Sequence, residues 1–193
     1  MAIPQPLAFG RRLPKNDWEG DDFTPGAGGK FVTCQDTAAG RDVAWATNGR
    51  IDKDGRVYRA AVPGRDPDGI TLQQAQIAVK RIAFLNLIIP KGWVWSDVKA
   101  HLKAGRGLVA DGWYGAVPRA FRYQAFADFA HAEFWSHWSP RSGIRVWDPL
   151  NPDTTAYGRW IPESVCRNFV EELARRDDTV SLYVAYVPLL PLL

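Results

Sequence analysis

Two strand-like segments joined by a short turn constrain the fold of this chain more than any other feature. Residues 129–138 read FAHAEFWSHW, and residues 144–148 read IRVWD. Ser139, Pro140 and Gly143 stand between the two segments. Aromatic and β-branched runs bounded by turn residues are typical of strands. We therefore expect an antiparallel hairpin here.

The hairpin brings together residues that can carry chemistry. If its strands pair across the turn, residue 131 lies opposite roughly residues 148 to 151, although the sequence does not fix the register. This pairing predicts that Asp148 lies near His131. Because side chains alternate along a strand, Glu133 shares a face with His131. Glu133 is therefore an alternative acceptor for the imidazole.

Cys34 is the third candidate, because it begins a segment that is compatible with a helix. In CQDTAAGRDVAWAT, residues 34–47, Ala38, Ala39, Val43 and Ala46 recur at spacings of three and four. A helix N-terminus favours the thiolate form of a cysteine. A nucleophile also needs a base, and the base needs an acceptor that orients it. We predict Cys34 as nucleophile, His131 as base and Asp148 as the orienting carboxylate.

Each of these residues also has a structural interpretation. A free cysteine is commonly a small buried hydrophobic residue, and an Asp before Pro is often a turn residue. His101 lies in a predicted helix and His137 lies near the turn, so we expect both to face solvent rather than to act in catalysis.

The remaining pattern predicts further helices and strands. A capping-box pattern, TLQQ, begins a helix at Thr71, and a shorter helix runs from Ser96 as N-cap to Gly105. The strand GLVADG follows, then a helix from Pro162 to Arg176 and a strand VSLYVAYV. Helices come first and strands later, which predicts an α+β fold with the Cys34 helix packed on a mainly antiparallel sheet.

The chain of 193 residues is long enough for one substantial domain. Residues 1–30 are rich in Pro and Gly without sustained periodicity, which predicts an extended N-terminal arm. The domain then covers residues 31–188, and residues 189–193 form an apolar C-terminal tail. The arm and the tail are expected to contact other proteins.

Composition argues against several classes of function. The net charge of +3 comes from scattered Lys and Arg, so nucleic acid is not an expected partner. We find no secretory signal and no apolar run of about 20 residues, which predicts cytoplasmic synthesis and no membrane span. The two cysteines, Cys34 and Cys166, lack the spacing of a disulfide framework or a zinc site. We expect no cofactor and no metal.

Three motifs resemble the papain-like fold of the C39-like cysteine peptidases. These motifs are TCQDTAAG around Cys34, FAHAEF around His131 and VWDPL around Asp148. More specifically, the chain looks like tail-associated virion proteins of actinobacterial tailed phages. The segments that carry this resemblance are LKAGRGLVADGWYGAVP, FADFAHAEFW, VWDPLNP and RWIPESVCRNFVEEL, and the similarity covers about Cys34 to Leu173.

The resemblance implies a virion protein, made in the host cytoplasm and assembled into the tail within an oligomeric assembly. Its partners would be other virion proteins, and its substrate would be peptide cross-links of host peptidoglycan. The chain departs from the peptidase pattern upstream of Cys34, where residues 27–32 read AGGKFV and contain no Gln. Gln35 is then the candidate oxyanion donor.

Three functions remain open from the sequence. The chain is an active cysteine peptidase or amidase, or an inactive structural tail protein that uses the same fold for assembly. Acyl transfer of the kind that transglutaminase-like enzymes perform is a weaker third alternative.

Overall fold

The computed structural model describes residues 92–151 and 158–176, the backbone of residues 86–88 and 184–189, and six single helical residues. Those six are Cys34, Ala38, Asp42, Trp45, Ile77 and Lys80. In chain order the elements are β1 (Asn86–Ile88), α1 (Trp95–Lys103), β2 (Leu108–Trp113), β3 (Ala130–Ser139), β4 (Gly143–Trp147), β5 (Arg159–Ile161), α2 (Glu163–Arg176) and β6 (Val184–Leu189). Two 3-10 turns, Tyr114–Ala116 and Arg119–Phe121, follow β2.

The six strands form one sheet in the order β1-β6-β2-β3-β4-β5, and each neighbouring pair is antiparallel. The described chain is therefore a mixed fold of helices and antiparallel sheet, as the sequence predicts. The expected hairpin is confirmed as β3 and β4, with Phe134 paired to Trp147. The register shifts between Trp135 and His137, which leaves Ser136 as an extra residue on β3.

Helix α1 confirms the helix predicted from Ser96 to Gly105, but its first turn differs. The N-cap is Val94 rather than Ser96, because the Asp97 carboxylate accepts the backbone N–H of Val94 at 2.8 Å. An acidic residue at the third position satisfies this free N–H and suits the positive end of the helix dipole. Gly105 follows the helix with a φ of 74°, a conformation that favours glycine.

Both described helices pack on one face of the sheet around Trp135. The ring of Trp135 is fully buried and lies 6.1 Å from Trp95 of α1 and 6.4 Å from Phe169 of α2. Close approach of α2 depends on Gly112 in β2, where a Cβ atom would clash with the Phe169 ring. Gly112 is paired with His131, so this contact fixes the sheet beside a candidate site residue.

Helical residues that follow Cys34 pack against β3. The ring centroid of Trp45 lies 6.0 Å from that of Phe134 and 5.1 Å from that of His137. Ala38, Asp42 and Trp45 are buried, at spacings of four and three that place them on one helical face. The predicted helix over 34–47 agrees with these helical positions, and its other residues lie outside the described part.

Several predictions concern residues that the structure does not describe. The arm over 1–30, Gln35 and residues 190–193 are among them. Leu189, the first residue of the predicted tail, belongs to β6 and pairs with Asn86. Ile77 and Lys80 are helical and exposed, in agreement with the helix predicted from Thr71. Across the described residues, none of the helices combines the length and apolar character needed to cross a bilayer.

Candidate active site

The hairpin brings His131 and Asp148 into direct contact. Nε2 of His131 lies 2.8 Å from Oδ1 of Asp148, and their side chains are only 0% and 5% exposed. Strand β4 ends at Trp147, opposite Phe134, so Asp148 follows the strand and can turn towards the start of β3. The predicted proximity of the two residues is therefore observed.

Two further donors hold the Asp148 carboxylate. Its Oδ1 also accepts the backbone N–H of Leu150 at 2.8 Å, and its Oδ2 accepts the hydroxyl of Tyr114 at 2.8 Å. The Tyr114 oxygen in turn accepts the backbone N–H of Tyr123 at 2.9 Å. Three hydrogen bonds fix the orientation of this carboxylate.

Cys34 belongs to the electrostatic surroundings of the His131 imidazole. Nδ1 of His131 is buried and makes no regular hydrogen bond within the described part of the chain. The Cys34 side chain nevertheless interacts with the imidazole. Burial opposes the imidazolium, but the bond to Asp148 and the interaction with Cys34 raise the pKa of His131 well above its usual range. The Asp148 carboxylate and the Cys34 thiol therefore both act on the protonation of this imidazole.

Glu133 lies in the same cluster but is not the acceptor for His131, since Asp148 takes that position. Its Oε2 accepts the indole N–H of Trp135 at 2.9 Å. Burial and the nearby Asp148 raise the pKa of Glu133 to about 8. One side-chain N or O atom from each of His131, Glu133 and Asp148 lies within 4.8 Å of the other two. These residue types can bind a metal ion, but the His131–Asp148 hydrogen bond already uses Nε2 and Oδ1.

Asp111 adds a carboxyl group on β2 that the sequence analysis missed. It pairs with Ala132, the neighbour of His131. Its Oδ1 is buried and has no hydrogen-bond partner among the described residues. Burial raises the pKa of Asp111 to about 7, opposed by the charge of His131. The electrostatic surroundings of His131 thus contain three acidic side chains.

The other two histidines lie away from this cluster. The prediction that His101 faces solvent is wrong, because it is 6% exposed and its Nε2 donates to the Gly107 carbonyl oxygen at 3.1 Å. The Gly107 carbonyl becomes available where the chain turns from α1 into β2. His137 is partly buried, with Nδ1 3.0 Å from the Ser136 hydroxyl, so the same prediction is wrong for it in part.

The loop between β2 and β3 forms one side of the site. Arg122 holds this loop by donating to the carbonyl oxygens of Val117, Gly115, Ala125 and Ala127. Phe129 stacks on Tyr114 with ring centroids 6.0 Å apart and stands edge-on to His131 at 6.0 Å. Because Phe129 is 39% exposed, it presents an apolar ring to solvent beside the buried base.

Tyr114 is the most important residue that the sequence analysis missed. It lies in GWYG, directly after a predicted strand, but its contact with Asp148 spans 34 residues. A Tyr near a strand end is a weak signal on its own. Gln35, the candidate oxyanion donor, lies outside the described residues, so its role remains a prediction.

Comparison with known proteins gives little beyond this geometry. No protein-family model matches the sequence, and no curated protein matches it. Among solved structures, the chain is similar to a crystal structure from Bacillus anthracis that is assigned to the C39-like peptidases. The identity is 11%, the similarity covers 83% of this chain and 93% of that chain, and the TM-score is 0.49. At this level of similarity, no residue role carries over from that protein.

Proposed function

We propose that this chain is a papain-like cysteine hydrolase that cleaves amide bonds. The observation that carries the proposal is the buried His131–Asp148 hydrogen bond of 2.8 Å, with Cys34 interacting with the same imidazole. A thiol, a base and an oriented carboxylate are the groups that nucleophilic catalysis requires.

The proposed reaction proceeds in two stages. His131 takes the proton of Cys34, and the thiolate attacks the carbonyl carbon of the amide to form a C–S bond. The imidazolium then gives this proton to the leaving amine as the C–N bond breaks, which leaves a thioester on Cys34. His131 next takes a proton from water, the hydroxide attacks the thioester, and the acid product leaves as the thiolate regains a proton.

The surroundings of His131 suit this double role as base and acid. Asp148 accepts from Nε2, which leaves Nδ1 for the thiol and favours one tautomer. The Leu150 N–H and the Tyr114 hydroxyl hold the carboxylate, so the imidazole keeps its orientation during proton transfer.

Stabilisation of the tetrahedral intermediate requires N–H donors near the attacked carbonyl. The peptidase pattern has a Gln upstream of the cysteine, which residues 27–32 lack. We propose that Gln35 or backbone N–H groups at Cys34 supply this function. Loss of one such donor typically lowers the rate by about 10²- to 10³-fold. Gln35→Ala is expected to lower kcat by this factor while Cys34 remains open to alkylation.

Alkylation of the folded protein with iodoacetamide tests the proposed nucleophile, with Cys166 as an internal control. Cys166 is 2% exposed, and burial raises the pKa of its thiol well above the usual range, so it should not react. Cys34 should react rapidly below neutral pH, because His131 stabilises its thiolate. Mass spectrometry of digested peptides reports each site separately.

Replacement of the base supplies the contrasting outcome. His131→Gln should remove the fast reaction of Cys34 at low pH, whereas Cys34 in the unfolded chain should react as an ordinary thiol. If the folded wild type and His131→Gln react equally fast at pH 6, the proposed hydrolase is rejected. The chain would then be better described as an inactive structural protein with the same residues.

The setting of the reaction is a further proposal that rests on the sequence resemblance. We propose that the chain is made in the host cytoplasm, becomes part of a phage tail and acts on peptides of host peptidoglycan. The Pro- and Gly-rich residues 1–30 suit contacts with other tail proteins. Incubation with purified peptidoglycan should release new amino groups from wild type but not from Cys34→Ala. Mass spectrometry of purified particles should detect the chain, and its absence would reject the tail assignment.

A further inference from the structure

Glu133 is a buried carboxyl group that the proposed reaction does not use. It lies on β3, two residues after His131, and is 6% exposed. Side-chain atoms of Glu133, His131 and Asp148 approach within 4.8 Å of one another. At this distance and burial, the charge of one group strongly affects the protonation of the others.

The two carboxyl groups differ in the donors that reach them. Asp148 accepts hydrogen bonds from His131, the Leu150 N–H and the Tyr114 hydroxyl. Among the described residues, the one donor to Glu133 is the indole N–H of Trp135. Two neighbouring buried carboxyls do not readily carry charge together, and the group with fewer donors keeps a proton. The proton therefore belongs on Glu133.

Other titratable groups face Glu133 from the elements packed around it. They are His131 on β3, Asp148 after β4, Tyr114 and Tyr123 after β2, Arg159 on β5 and Cys166 on α2. Arg159 makes no ion pair with Glu133. Its guanidinium donates to the Ala120 carbonyl at 2.6 Å and lies 5.2 Å from the Phe121 ring. His131 is therefore the cation that couples most directly to Glu133.

We propose that Glu133 is a positioning residue for the His131–Asp148 pair. The Glu133 carboxyl group holds a proton at neutral pH and releases it to solvent at alkaline pH. In the neutral state, protonated Glu133 adds no charge to Asp148 and Asp111, the other two carboxyl groups that act on His131. Release of the proton adds another negative charge beside His131, which keeps the imidazolium protonated to a higher pH. The alkaline limit of the Cys34–His131 ion pair then depends on Glu133, and this consequence rests on the proposed hydrolase function.

The experiment follows protonation in the full chain with Cys34→Ala, where no reaction can occur. Nitrogen-15 labelling of tryptophan and carbon-13 labelling of histidine report the Trp135 indole and the His131 ring by NMR. Since burial and Asp148 raise the pKa of Glu133 to about 8, both signals should show a shared step near that pH. Glu133→Gln mimics the protonated side chain and should remove the step. It should also move His131 deprotonation to lower pH.

Glu163→Gln is the matched control, because Glu163 also accepts indole N–H groups. Its carboxylate oxygens accept from Trp95 and Trp138, each at 2.7 Å, and it pairs with Lys99 at 3.2 Å. Burial opposes ionisation of Glu163, but the three donors together lower its pKa. Glu163→Gln should therefore leave the step near pH 8 unchanged.

A second variant keeps the proposal open to refutation if Glu133→Gln does not fold. Trp135→Phe removes the donor that favours ionised Glu133, so the step seen at His131 should move to higher pH. A titration of Cys34→Ala without a step near pH 8, or a step that persists when Glu133→Gln is added, would overturn the proposal. A step that depends on Glu133, found together with an unreactive Cys34 in wild type, would support the proton on Glu133 and reject the hydrolase.

Discussion

Two buried histidines of this chain have opposite chemical properties. His131 is 3% exposed and contacts the Asp148 carboxylate, whereas His101 is 6% exposed and donates to the Gly107 carbonyl. Burial lowers the pKa of His101 to about 4, and the nearby Arg106 adds to this effect. At His131 burial acts in the same direction, but Asp148 and Cys34 raise the pKa above its usual range.

The comparison teaches that the partner of a buried histidine decides its function. A neutral carbonyl can accept one N–H but cannot balance the charge of an imidazolium, so His101 stays neutral and joins α1 to β2. A carboxylate balances that charge, so His131 can hold a proton at a pH where His101 is neutral. Each of the next four predictions changes one histidine or a residue that contacts its surroundings, and the other histidine serves as the reference.

Asp148→Ala should have the largest effect, because it removes the charge that distinguishes the two histidines. The rate of Cys34 alkylation at pH 6 should fall by about 10²- to 10⁴-fold, the range that a positioned acid–base group contributes. Asp148→Asn should lose less, since the Leu150 N–H can hold the amide oxygen where Oδ1 now accepts from His131. His101→Gln should leave the alkylation rate unchanged. Equal falls in the alkylation rate of Asp148→Ala and His101→Gln would contradict the comparison.

His101 should make the free energy of unfolding fall as the pH becomes acidic. Its pKa is about 6.5 unfolded and about 4 folded, so the unfolded chain binds more protons between these values. Stability from neutral His101 is therefore complete above pH 6.5 and is lost as pH falls towards 4, by about 3 kcal/mol in total. Urea unfolding at pH 7 and pH 4 should show this difference in wild type but not in His101→Gln. The raised pKa of His131 predicts the opposite sign, with stability lost as pH rises.

Tyr114→Phe tests the hydrogen bond that holds Asp148, the carboxylate partner of His131. Among the described residues, His101 has no such carboxylate partner. It removes the donor to Asp148 Oδ2 and the acceptor for the Tyr123 N–H, so two buried groups lose a partner. We expect a loss of about 1–3 kcal/mol in the free energy of unfolding. The acid dependence due to His101 should be unchanged. A fall in Cys34 reactivity as large as that of Asp148→Ala would show that the hydroxyl matters as much as the carboxylate.

Trp93→Leu changes the surroundings of His101 and should have the smallest effect of the four on stability. The Trp93 and His101 ring centroids are 5.3 Å apart, and such an aromatic contact contributes about 0.5–1.5 kcal/mol. Thermal unfolding should report this loss at pH 7. Looser packing should also move the pKa of His101 upwards, towards 6.5. Cys34 reactivity is the control and should not change.

The sequence predicts local structure and the central pair well. The turn residues 139–143 and the aromatic strands indicate the β3–β4 hairpin, and the hairpin alone brings His131 near Asp148. Gly105 and Pro162 correctly mark a helix end and a helix start. These signals succeed because they depend on neighbouring residues, whose backbone preferences act whatever the rest of the chain does.

The missed features depend on distant contacts. Tyr114 reaches Asp148 only because the β2–β3 loop folds back, and Ser136 becomes an extra residue only after β3 and β4 pair. Burial of His101 depends on the position of the Gly107 carbonyl after α1. Asp42 is also buried, although its charge predicts an exposed position. No local pattern contains these distances, so they could not be derived from neighbouring residues.

The contact between Gly112 and Phe169 has a consequence for motion. Phe169 fills the space above Gly112, directly beside His131, so α2 must move away before β2 and β3 can separate there. Local opening that leaves the rest of the fold intact is then disfavoured at this point of the sheet. Backbone amides of β2 and β3 around residues 110–112 and 131–134 should exchange their hydrogens only when the whole domain unfolds. The imidazole thus lies beside a part of the sheet where local opening is disfavoured, while the aromatic ring of Phe129 next to it is accessible to solvent.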